Sequence, residues 1–205
     1  MIGIINYGAG NLASVKNAFT SIGRNSAVFS DPESIMQFAR IILPGVGSFR
    51  NAMDLLVAHG WHQAIETFAA SGRPILGICL GMQLLMNEGI EGGVTKGLGL
   101  ISGTVMPLQP KTGYRVPHVG WNTLCFKRSI PLFATIKEHV DYYFVHSYQC
   151  IPQNTGDVIA SCDYGGEFVA AIGNRNVVGT QFHPEKSQPH GLVLLENFDR
   201  WEPDA

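Results

Sequence analysis

Short apolar segments alternate with segments of helical pattern through the first half of the sequence, and this alternation limits the possible folds more than any other feature. Strands are predicted at Ile2–Asn6, Ala27–Ser30, Arg40–Leu43 and Pro74–Ile78, and helices at Leu12–Ile22, after Ser30-Asp31-Pro32-Glu33, and at Phe49–His59, Trp61–Ser71 and Leu80–Asn87. Strands separated by helices are typical of a parallel sheet that helices cover on both faces. Such a sheet places its functional site beyond the carboxyl ends of its strands.

The second half of the sequence has a different pattern, because its apolar strands follow one another with little helix between them. These strands are predicted at Gly97–Val105, His118–Phe126, Tyr142–Cys150, Asp157–Ser161, Phe168–Gly173 and Val177–Phe182. Gly173-Asn174-Arg175-Asn176 predicts a hairpin turn, since Gly and Asn tolerate positive φ, and a closing helix is expected at Gly191–Arg200. We therefore predict one α/β domain over residues 1–205, with a mostly parallel central sheet flanked by helices and an antiparallel β extension.

Charge and cysteine placement exclude several classes of function. A net charge of −2 with scattered lysines and arginines gives no basic surface for nucleic acid. The first apolar run, Ile2 to Ile5, is too short for the core of a signal peptide or for a membrane span. Cys79, Cys125, Cys150 and Cys162 form neither a C-x-x-C pair nor a metal-binding spacing. We expect free thiols in a cytoplasmic protein that needs neither a metal nor a cofactor.

One of these cysteines lies in a setting that suits a nucleophile. Gly77-Ile78-Cys79-Leu80-Gly81 follows an apolar strand and begins a helix, as in a nucleophile elbow. Side chains at positions 77 and 81 would collide with neighbouring backbone in so tight a turn. The turn would place the sulfur at a helix N-terminus, which favours thiolate, and direct the Leu80 N–H towards an oxyanion. The alternative for Cys79 is a buried small hydrophobic residue, whereas Cys125, Cys150 and Cys162 lack such a turn and are expected to be structural.

A thiol nucleophile needs a base, and the best candidate is His183 in Gln181-Phe182-His183-Pro184-Glu185. Residues two apart in an extended segment point to the same side, so His183 and Glu185 are predicted to face one site. Glu185 would accept a hydrogen bond from the imidazole and fix its tautomer. A His-x-Glu spacing alone is a weak signal, and only together with the Cys79 turn does it predict a Cys-His-Glu triad. His146, near a strand end, is expected either to line a pocket or to be structural.

Six stretches spread over nearly the whole chain together resemble the triad-type, or class I, glutamine amidotransferases. They are Asn6-Tyr7-Gly8-Ala9-Gly10-Asn11, Pro44-Gly45-Val46-Gly47-Ser48-Phe49, Gly77-Ile78-Cys79-Leu80-Gly81-Met82-Gln83, Pro117-His118-Val119-Gly120-Trp121-Asn122, Tyr143-Phe144-Val145-His146-Ser147-Tyr148 and Gln181-Phe182-His183-Pro184-Glu185-Lys186-Ser187. The fourth and sixth stretches resemble those of the glutaminase subunits of imidazole glycerol phosphate synthase. This resemblance implies a flavodoxin-like α/β fold and the hydrolysis of L-glutamine to L-glutamate and ammonia through a thioester on Cys79.

The resemblance also implies roles for residues around the triad. A second oxyanion donor would come from Val46 or Gly47, although Pro-Gly-x-Gly after a strand is also a common tight turn. The same resemblance assigns the polar end of the substrate to Gln83, Glu91, His146 and Ser147. Glu91 has an alternative, because a glycine-containing stretch such as Glu88-Gly89-Ile90-Glu91-Gly92-Gly93 also suits a solvated loop.

The ammonia acceptor is expected on another chain, because the sequence contains no phosphate-binding loop or nucleotide motif. The resemblance implies a heterodimer with a (β/α)-barrel synthase that makes imidazole glycerol phosphate and an aminoimidazole carboxamide ribotide. Tyr7, Asn11, Trp121 and Lys186 lie at family positions that face this partner, and Lys186 is expected to point away from the triad. The alternatives are a glutaminase that feeds a different synthase, a stand-alone cysteine hydrolase and a non-catalytic binding subunit.

Overall fold

The computed structural model describes residues 1–136 and 139–203, so the predicted domain 1–205 includes positions 137, 138, 204 and 205, which lie outside the described residues. The helices are α1 (Leu12–Ser21), α2 (Phe49–Ala58), α3 (Trp61–Ala70), α4 (Leu80–Leu84) and α5 (Gln188–Arg200). The strands are β1 (Ile2–Ile5), β2 (Ser26–Phe29), β3 (Arg40–Gly45), β4 (Ile75–Cys79), β5 (Met86–Gly89), β6 (Thr95–Lys96), β7 (Ile101–Pro107), β8 (His118–Thr123), β9 (Cys125–Phe126), β10 (Asp141–His146), β11 (Tyr148–Pro152), β12 (Val158–Asp163), β13 (Glu167–Asn174) and β14 (Val177–Thr180). Short 3₁₀ helices are formed by Pro32–Gln37, Pro131–Phe133, Thr155–Asp157 and Pro184–Lys186.

The central sheet has the strand order β2-β1-β3-β4-β14-β13-β12-β9. Neighbouring strands from β2 to β14 are parallel, and those from β14 to β9 are antiparallel. The predicted parallel sheet with an antiparallel extension is therefore confirmed. Strand β4 ends at Cys79 beside β14, which ends at Thr180, so the Cys79 turn and the segment leading to His183 leave the sheet at the same edge.

Hydrophobic cores cover both faces of the parallel half. Along β1, Ile2 and Ile4 belong to one core and Ile5 to the other, as the alternation of side chains in a strand requires. Residues of α1 and α5 complete the first core, and residues of α2 and α3 complete the second. Because both faces of β1, β3 and β4 are covered, every residue of these strands is buried.

Local sequence determines where α1 begins. The Asn11 side chain accepts a hydrogen bond from the Ser14 N–H at 3.3 Å and so caps the helix. Before the cap, Gly8 and Gly10 have φ values of 99° and 120°, which glycine adopts at little cost. The turn from β1 into α1 therefore depends on these two glycines and on Asn11.

Two predicted elements around the site are shorter than expected. The helix predicted at Leu80–Asn87 ends at Leu84, because the chain enters β5 and Met86 pairs with Ile101. The strand predicted at Tyr142–Cys150 is interrupted at Ser147, where β10 ends and β11 begins. These two strands belong to different small sheets, one formed by β10 and β8 and the other ordered β11-β7-β5-β6.

Other predicted boundaries also need correction in the antiparallel half. The strand predicted at Gly97–Val105 starts only at Ile101, and the one predicted at His118–Phe126 is divided into β8 and β9. The hairpin at residues 173–176 is present, with Asn174 paired to Val177, but the positive φ of 49° belongs to Arg175. The register of the sheet makes Arg175 and Asn176 the two loop residues, and the first of them adopts the left-handed conformation.

Candidate active site

Cys79 ends β4 and occupies a sharp strand-to-helix turn. Its φ and ψ are 55° and −109°, an unusual combination for a residue with a side chain. A Cβ atom on Gly81 would lie 1.8 Å from the Leu43 carbonyl oxygen, and one on Gly77 would lie 2.6 Å from the Gly81 oxygen. The two glycines are therefore required by close backbone contact, which was the reason given for them from the sequence.

His183 and Glu185 lie beside this turn. The Nδ1 atom of His183 is 2.8 Å from Oε1 of Glu185, and both side chains are almost completely buried. The predicted contact is present, but the predicted reason for it is wrong. Pro184–Lys186 forms a 3₁₀ helix rather than an extended segment, so a single tight turn brings the Glu185 carboxylate back to the imidazole.

The electrostatic setting of His183 favours the imidazolium. Burial lowers its pKa, but interactions with Cys79 and Glu185, through hydrogen bonding and charge, outweigh that effect and raise the pKa to about 9. The interaction with Cys79 is the looser one, because Nε2 has no partner within ordinary hydrogen-bond geometry among the described residues. Hydrogen bonds between catalytic groups are often long until substrate binds.

A pocket at the carboxyl edge of the parallel strands contains Cys79 and His183. Ten of its other lining residues are Val46, Gly47, Leu80, Gln83, Glu91, Pro117, His146, Ser147, Tyr148 and Lys186. The structure thus brings together all three residues named from the sequence as oxyanion donors and all four named as substrate contacts. This edge is where an open parallel sheet is expected to bind its ligand.

The three candidate oxyanion donors line the same pocket as Cys79. Leu80 is the first residue of α4, so its N–H has no acceptor within the helix. Directly after β3, Val46 is 48% exposed, and Gly47 has a φ of 97° with open space around its Cα. The Val46-Gly47 backbone is therefore exposed at the pocket and has the space to reorient.

Glu91 is held at the edge of the pocket by the backbone of α2. Its Oε2 atom accepts a hydrogen bond of 2.7 Å from the N–H of Phe49, the first residue of that helix. A carboxylate is favoured at a helix N-terminus, and this contact fixes its position. The alternative of a purely solvated loop does not describe Glu91, because the side chain has a specific backbone partner.

His146 lines the pocket, but neither of its ring nitrogens is free. Its Nδ1 atom is 2.8 Å from the Tyr148 carbonyl oxygen, and its Nε2 atom is 3.1 Å from Nδ1 of His118. Burial lowers the pKa of both histidines to about 4, so both rings are neutral near pH 7. His146 is thus placed to shape the backbone around Ser147 rather than to offer a ring nitrogen to a ligand.

Three of the four residues assigned to the partner surface are accessible, and one is not. Trp121 is 46% exposed and packs edge to face on Tyr143, with 5.8 Å between ring centroids. The Lys186 ammonium lies 5.6 Å from the same Tyr143 ring, and Lys186 is exposed while also lining the pocket. Asn11 is partly exposed at the start of α1.

The assignment of Tyr7 to the partner surface needs correction. Tyr7 is only 2% exposed and belongs to the core beneath α2 and α3. Burial, with a smaller contribution from Cys79, raises the pKa of its phenol. The motif Asn6-Tyr7-Gly8 gave no indication of this, because an aromatic residue in a turn suits a core and an interface equally well.

Sequence reasoning gave no role to two buried polar residues near the nucleophile. Gln181 is completely buried, and its amide nitrogen lies 3.8 Å from the Cys79 sulfur. Ser187 donates to the His183 carbonyl oxygen at 2.6 Å and accepts from the Tyr143 N–H at 3.0 Å. Gln181 lies two positions before His183 and Ser187 two positions after Glu185, which was the only available signal, and Gln83, Cys79 and Tyr143 among their partners are distant in sequence.

The other cysteines differ from Cys79 in setting. Burial raises the pKa of Cys150, and burial together with nearby carboxylates raises that of Cys162 to about 12. Cys125 is exposed on β9. Within residues 1–136 and 139–203, no group of three His, Cys, Asp or Glu side chains is placed to hold a metal ion. No helix in the same ranges is long and apolar enough to cross a membrane.

Comparison with known proteins places this site in a family. The family model described as glutamine amidotransferase class-I matches residues 3–200, and the chain belongs to that family. An imidazole glycerol phosphate synthase subunit HisH from Geobacillus kaustophilus is 49% identical over 203 residues, covering 97% of this chain and 95% of the relative. The subunit of the same name from Desulfitobacterium hafniense (strain DSM 10664 / DCB-2) is 47% identical over 201 residues, covering 98% and 94%.

Solved structures with little sequence similarity share the fold. The structure of PurLQS from Thermotoga maritima has a TM-score of 0.78 at 20% identity, with 97% of each chain covered. A crystal structure of a glutamine amidotransferase has a TM-score of 0.74 at 18% identity, covering 97% of this chain and 98% of the other. At such low identity these likenesses support the α/β architecture alone.

Proposed function

We propose that this chain hydrolyses L-glutamine to L-glutamate and ammonia, and that the ammonia supplies imidazole glycerol phosphate synthesis in histidine biosynthesis. The observation that carries the proposal is the arrangement of Cys79, His183 and Glu185 at one edge of the sheet. Full-length similarity to synthase subunits named HisH supports the choice of pathway over a stand-alone hydrolase.

The first half-reaction uses the sulfur as nucleophile and the imidazolium as acid. The Cys79 thiolate attacks the side-chain amide carbon of glutamine, and a carbon–sulfur bond forms as the carbonyl oxygen becomes an oxyanion. His183 then donates its proton to the amide nitrogen, the carbon–nitrogen bond breaks, and ammonia leaves. Glu185 holds the imidazole through Nδ1, which leaves Nε2 to transfer the proton.

The second half-reaction returns the enzyme to its starting state. A water molecule gives a proton to His183 and attacks the thioester, and a second oxyanion forms. Its collapse breaks the carbon–sulfur bond, releasing glutamate and the thiolate. Backbone N–H groups of Leu80 and of Val46 or Gly47 are the proposed donors to both oxyanions, and one such donor contributes about 10²–10³ in rate.

Substrate recognition is proposed to use other lining residues of the same pocket. The fixed carboxylate of Glu91 suits the α-ammonium group of glutamine, because opposite charges attract most strongly where water is partly excluded. Gln83 and the backbone around Ser147 would contact the α-carboxylate end. His146 contributes in this proposal by holding the backbone oxygen of Tyr148, next to Ser147, through a hydrogen bond.

The acceptor of the ammonia is proposed to be a (β/α)-barrel synthase subunit bound as a heterodimer. The named relatives are themselves subunits of a synthase, which supports an assembly of two chains. The exposed Trp121–Tyr143–Lys186 cluster beside the pocket is the surface that we assign to this partner, together with Asn11. A cytoplasmic location, where the four cysteines stay reduced, completes the proposal.

Reaction with a glutamine-like electrophile tests the proposal. Such a compound should label Cys79 and spare Cys125, although Cys125 is the more exposed thiol. Glutamine should protect Cys79 from labelling, and peptide mass spectrometry measures both results. Equal labelling of Cys79 and Cys125, or an absence of protection by glutamine, would contradict the assignment of the nucleophile.

A further inference from the structure

Gln181 is a buried polar residue that the proposed reaction does not yet use. It follows β14 and is 0% exposed. Its side-chain amide lies between two residues of the pocket: Oε1 is 3.0 Å from Nε2 of Gln83, and Nε2 is 3.8 Å from Sγ of Cys79. A fully buried amide that contacts the nucleophile can affect the reaction, provided that its orientation is fixed.

The surrounding hydrogen bonds determine that orientation. Nε2 of Gln83 is also 3.2 Å from the backbone oxygen of Tyr148. A carbonyl oxygen can only accept, so the Gln83 atom that faces it must be the NH₂ group. The second hydrogen of that group then donates to Gln181, whose facing atom must be the oxygen. The remaining terminal atom of Gln181, which faces the sulfur, is therefore an N–H donor.

The Tyr148 oxygen is itself held by a second donor. His146 donates to it from Nδ1, and Nε2 of His146 accepts from Nδ1 of His118. His118 donates to His146, and His146 and Gln83 both donate to the Tyr148 oxygen. Gln83 also donates to Gln181, so every hydrogen bond in this network pairs one donor with one acceptor. Rotating the Gln181 amide by 180° would place its NH₂ group against the NH₂ group of Gln83, which is also a donor. The same rotation would place the Gln181 oxygen against the Cys79 sulfur.

We infer that the Gln83–Gln181 pair holds an N–H donor against the Cys79 sulfur, and that Gln181 is a further catalytic residue that stabilises the thiolate. A hydrogen bond to the charged form of a group favours that form, and a thiolate accepts more strongly than a thiol. The inference rests on the proposed use of Cys79 as nucleophile. It also links the substrate pocket to the nucleophile, because Gln83 lines that pocket and orients the donor.

The test is the pH dependence of Cys79 alkylation by iodoacetamide, a reaction that requires thiolate but forms no oxyanion. Gln181→Met and Gln181→Leu remove the donor, and Gln83 can still donate to Tyr148. Each variant should shift the midpoint of the profile upwards by about one pH unit, which slows alkylation roughly tenfold at pH values below the wild-type midpoint. Well above both midpoints the rates should return to within about twofold of wild type, because thiolate is then the main form in both proteins.

Thr180→Val is the matched control. Thr180 is buried on the same strand and donates to the Phe182 oxygen at 3.1 Å. Its loss should reduce stability without moving the alkylation midpoint. An unchanged midpoint in both Gln181 variants, or rates lowered equally at every pH, would overturn the inference and leave Gln181 as a packing residue.

A measurement on the wild-type chain covers the case in which the variants do not fold. The side-chain ¹H and ¹⁵N amide resonances of Gln181 should shift with the same midpoint as Cys79 alkylation, and resonances that do not shift would overturn the inference. Failure of the proposed function has a different signature. In that case wild-type Cys79 would react no faster than Cys125, and glutamine would not be hydrolysed, whatever the Gln181 variants do.

Discussion

At the scale of single residues, Cys79 has a strained backbone that its surroundings hold in place. A residue with a side chain in such a conformation costs about 1–3 kcal/mol, and the φ of 55° persists because β3 and β14 flank β4 on both sides. The strain keeps the sulfur at the pocket, next to the imidazole of His183. The strained backbone at Cys79 thus lowers stability locally and fixes the position of the sulfur atom.

The carboxylate of Glu185 is expected to act by orienting His183. Glu185→Gln should lower kcat for glutamine hydrolysis by roughly 10³–10⁴-fold, because an amide can stabilise the wrong tautomer, while KM changes little. The matched control is Glu66→Gln, since Glu66 also pairs with a histidine, His62, at 3.6 Å on α3. Steady-state kinetics measure kcat and KM for both variants. An equal change of kcat in Glu185→Gln and Glu66→Gln would show that Glu185 is not the third residue of the triad.

The protonation of His183 gives a second prediction at this scale. With a pKa of about 9, the imidazole should stay protonated through neutral pH and lose its proton only as the pH rises through 9. Glu185→Gln removes one of the two partners that favour the imidazolium, so the midpoint should fall. Histidine side-chain NMR titration measures it, and His118 provides an internal reference with a pKa of about 4. An unchanged midpoint in the variant would contradict this origin of the shift.

Local motifs made some of these residues predictable and left others hidden. Cys79 and His183 could be found because glycine spacing and a His-Pro-Glu run are visible within a few positions of each. The burial of Tyr7 and the contact of Gln181 with the sulfur depend on packing between strands that are distant in sequence. No periodicity within the local segments carries that information.

At the scale of elements, the elbow depends on the contact between α4 and β3. Gly81→Ala should destabilise the protein by about 3 kcal/mol or more, since its Cβ would overlap the Leu43 oxygen and overpacking of this kind usually costs 1–3 kcal/mol. Gly23→Ala is the control, because Gly23 has a φ of 69° but open space, and a left-handed alanine costs about 1–2 kcal/mol. Urea denaturation compares the two, and equal losses would show that contact at Gly81 is unimportant.

The elements of the parallel half were more predictable than those of the antiparallel half. Strands β1, β3 and β4 are buried on both faces, so each is a continuous apolar run between helices. The end of α4 and the interruption at Ser147 have no such signal. Both occur where the chain moves into a small sheet, and the pairing partners of those sheets decide where each strand begins.

At the scale of the whole molecule, the Trp121–Tyr143–Lys186 cluster is expected to bind the synthase. Trp121→Ala should weaken association with the barrel subunit by at least tenfold, because exposed aromatic residues often dominate interfaces, and Lys186→Ala should weaken it less. Lys16→Ala, an exposed lysine on α1, should have no effect. Titration calorimetry with the purified partner measures the affinity of all three variants. Unchanged affinity in both the Trp121 and the Lys186 variant would show that the synthase binds a different surface.

Division of labour between two chains is the central claim, and Cys79→Ala tests it most directly. In the complex with the synthase, this variant should make no product from glutamine, because the thiol that releases ammonia is gone. With added ammonium salts it should make product at the wild-type rate, because the acceptor chemistry lies on the other chain. Loss of product from both nitrogen sources, or product from glutamine at an undiminished rate, would contradict the proposed function.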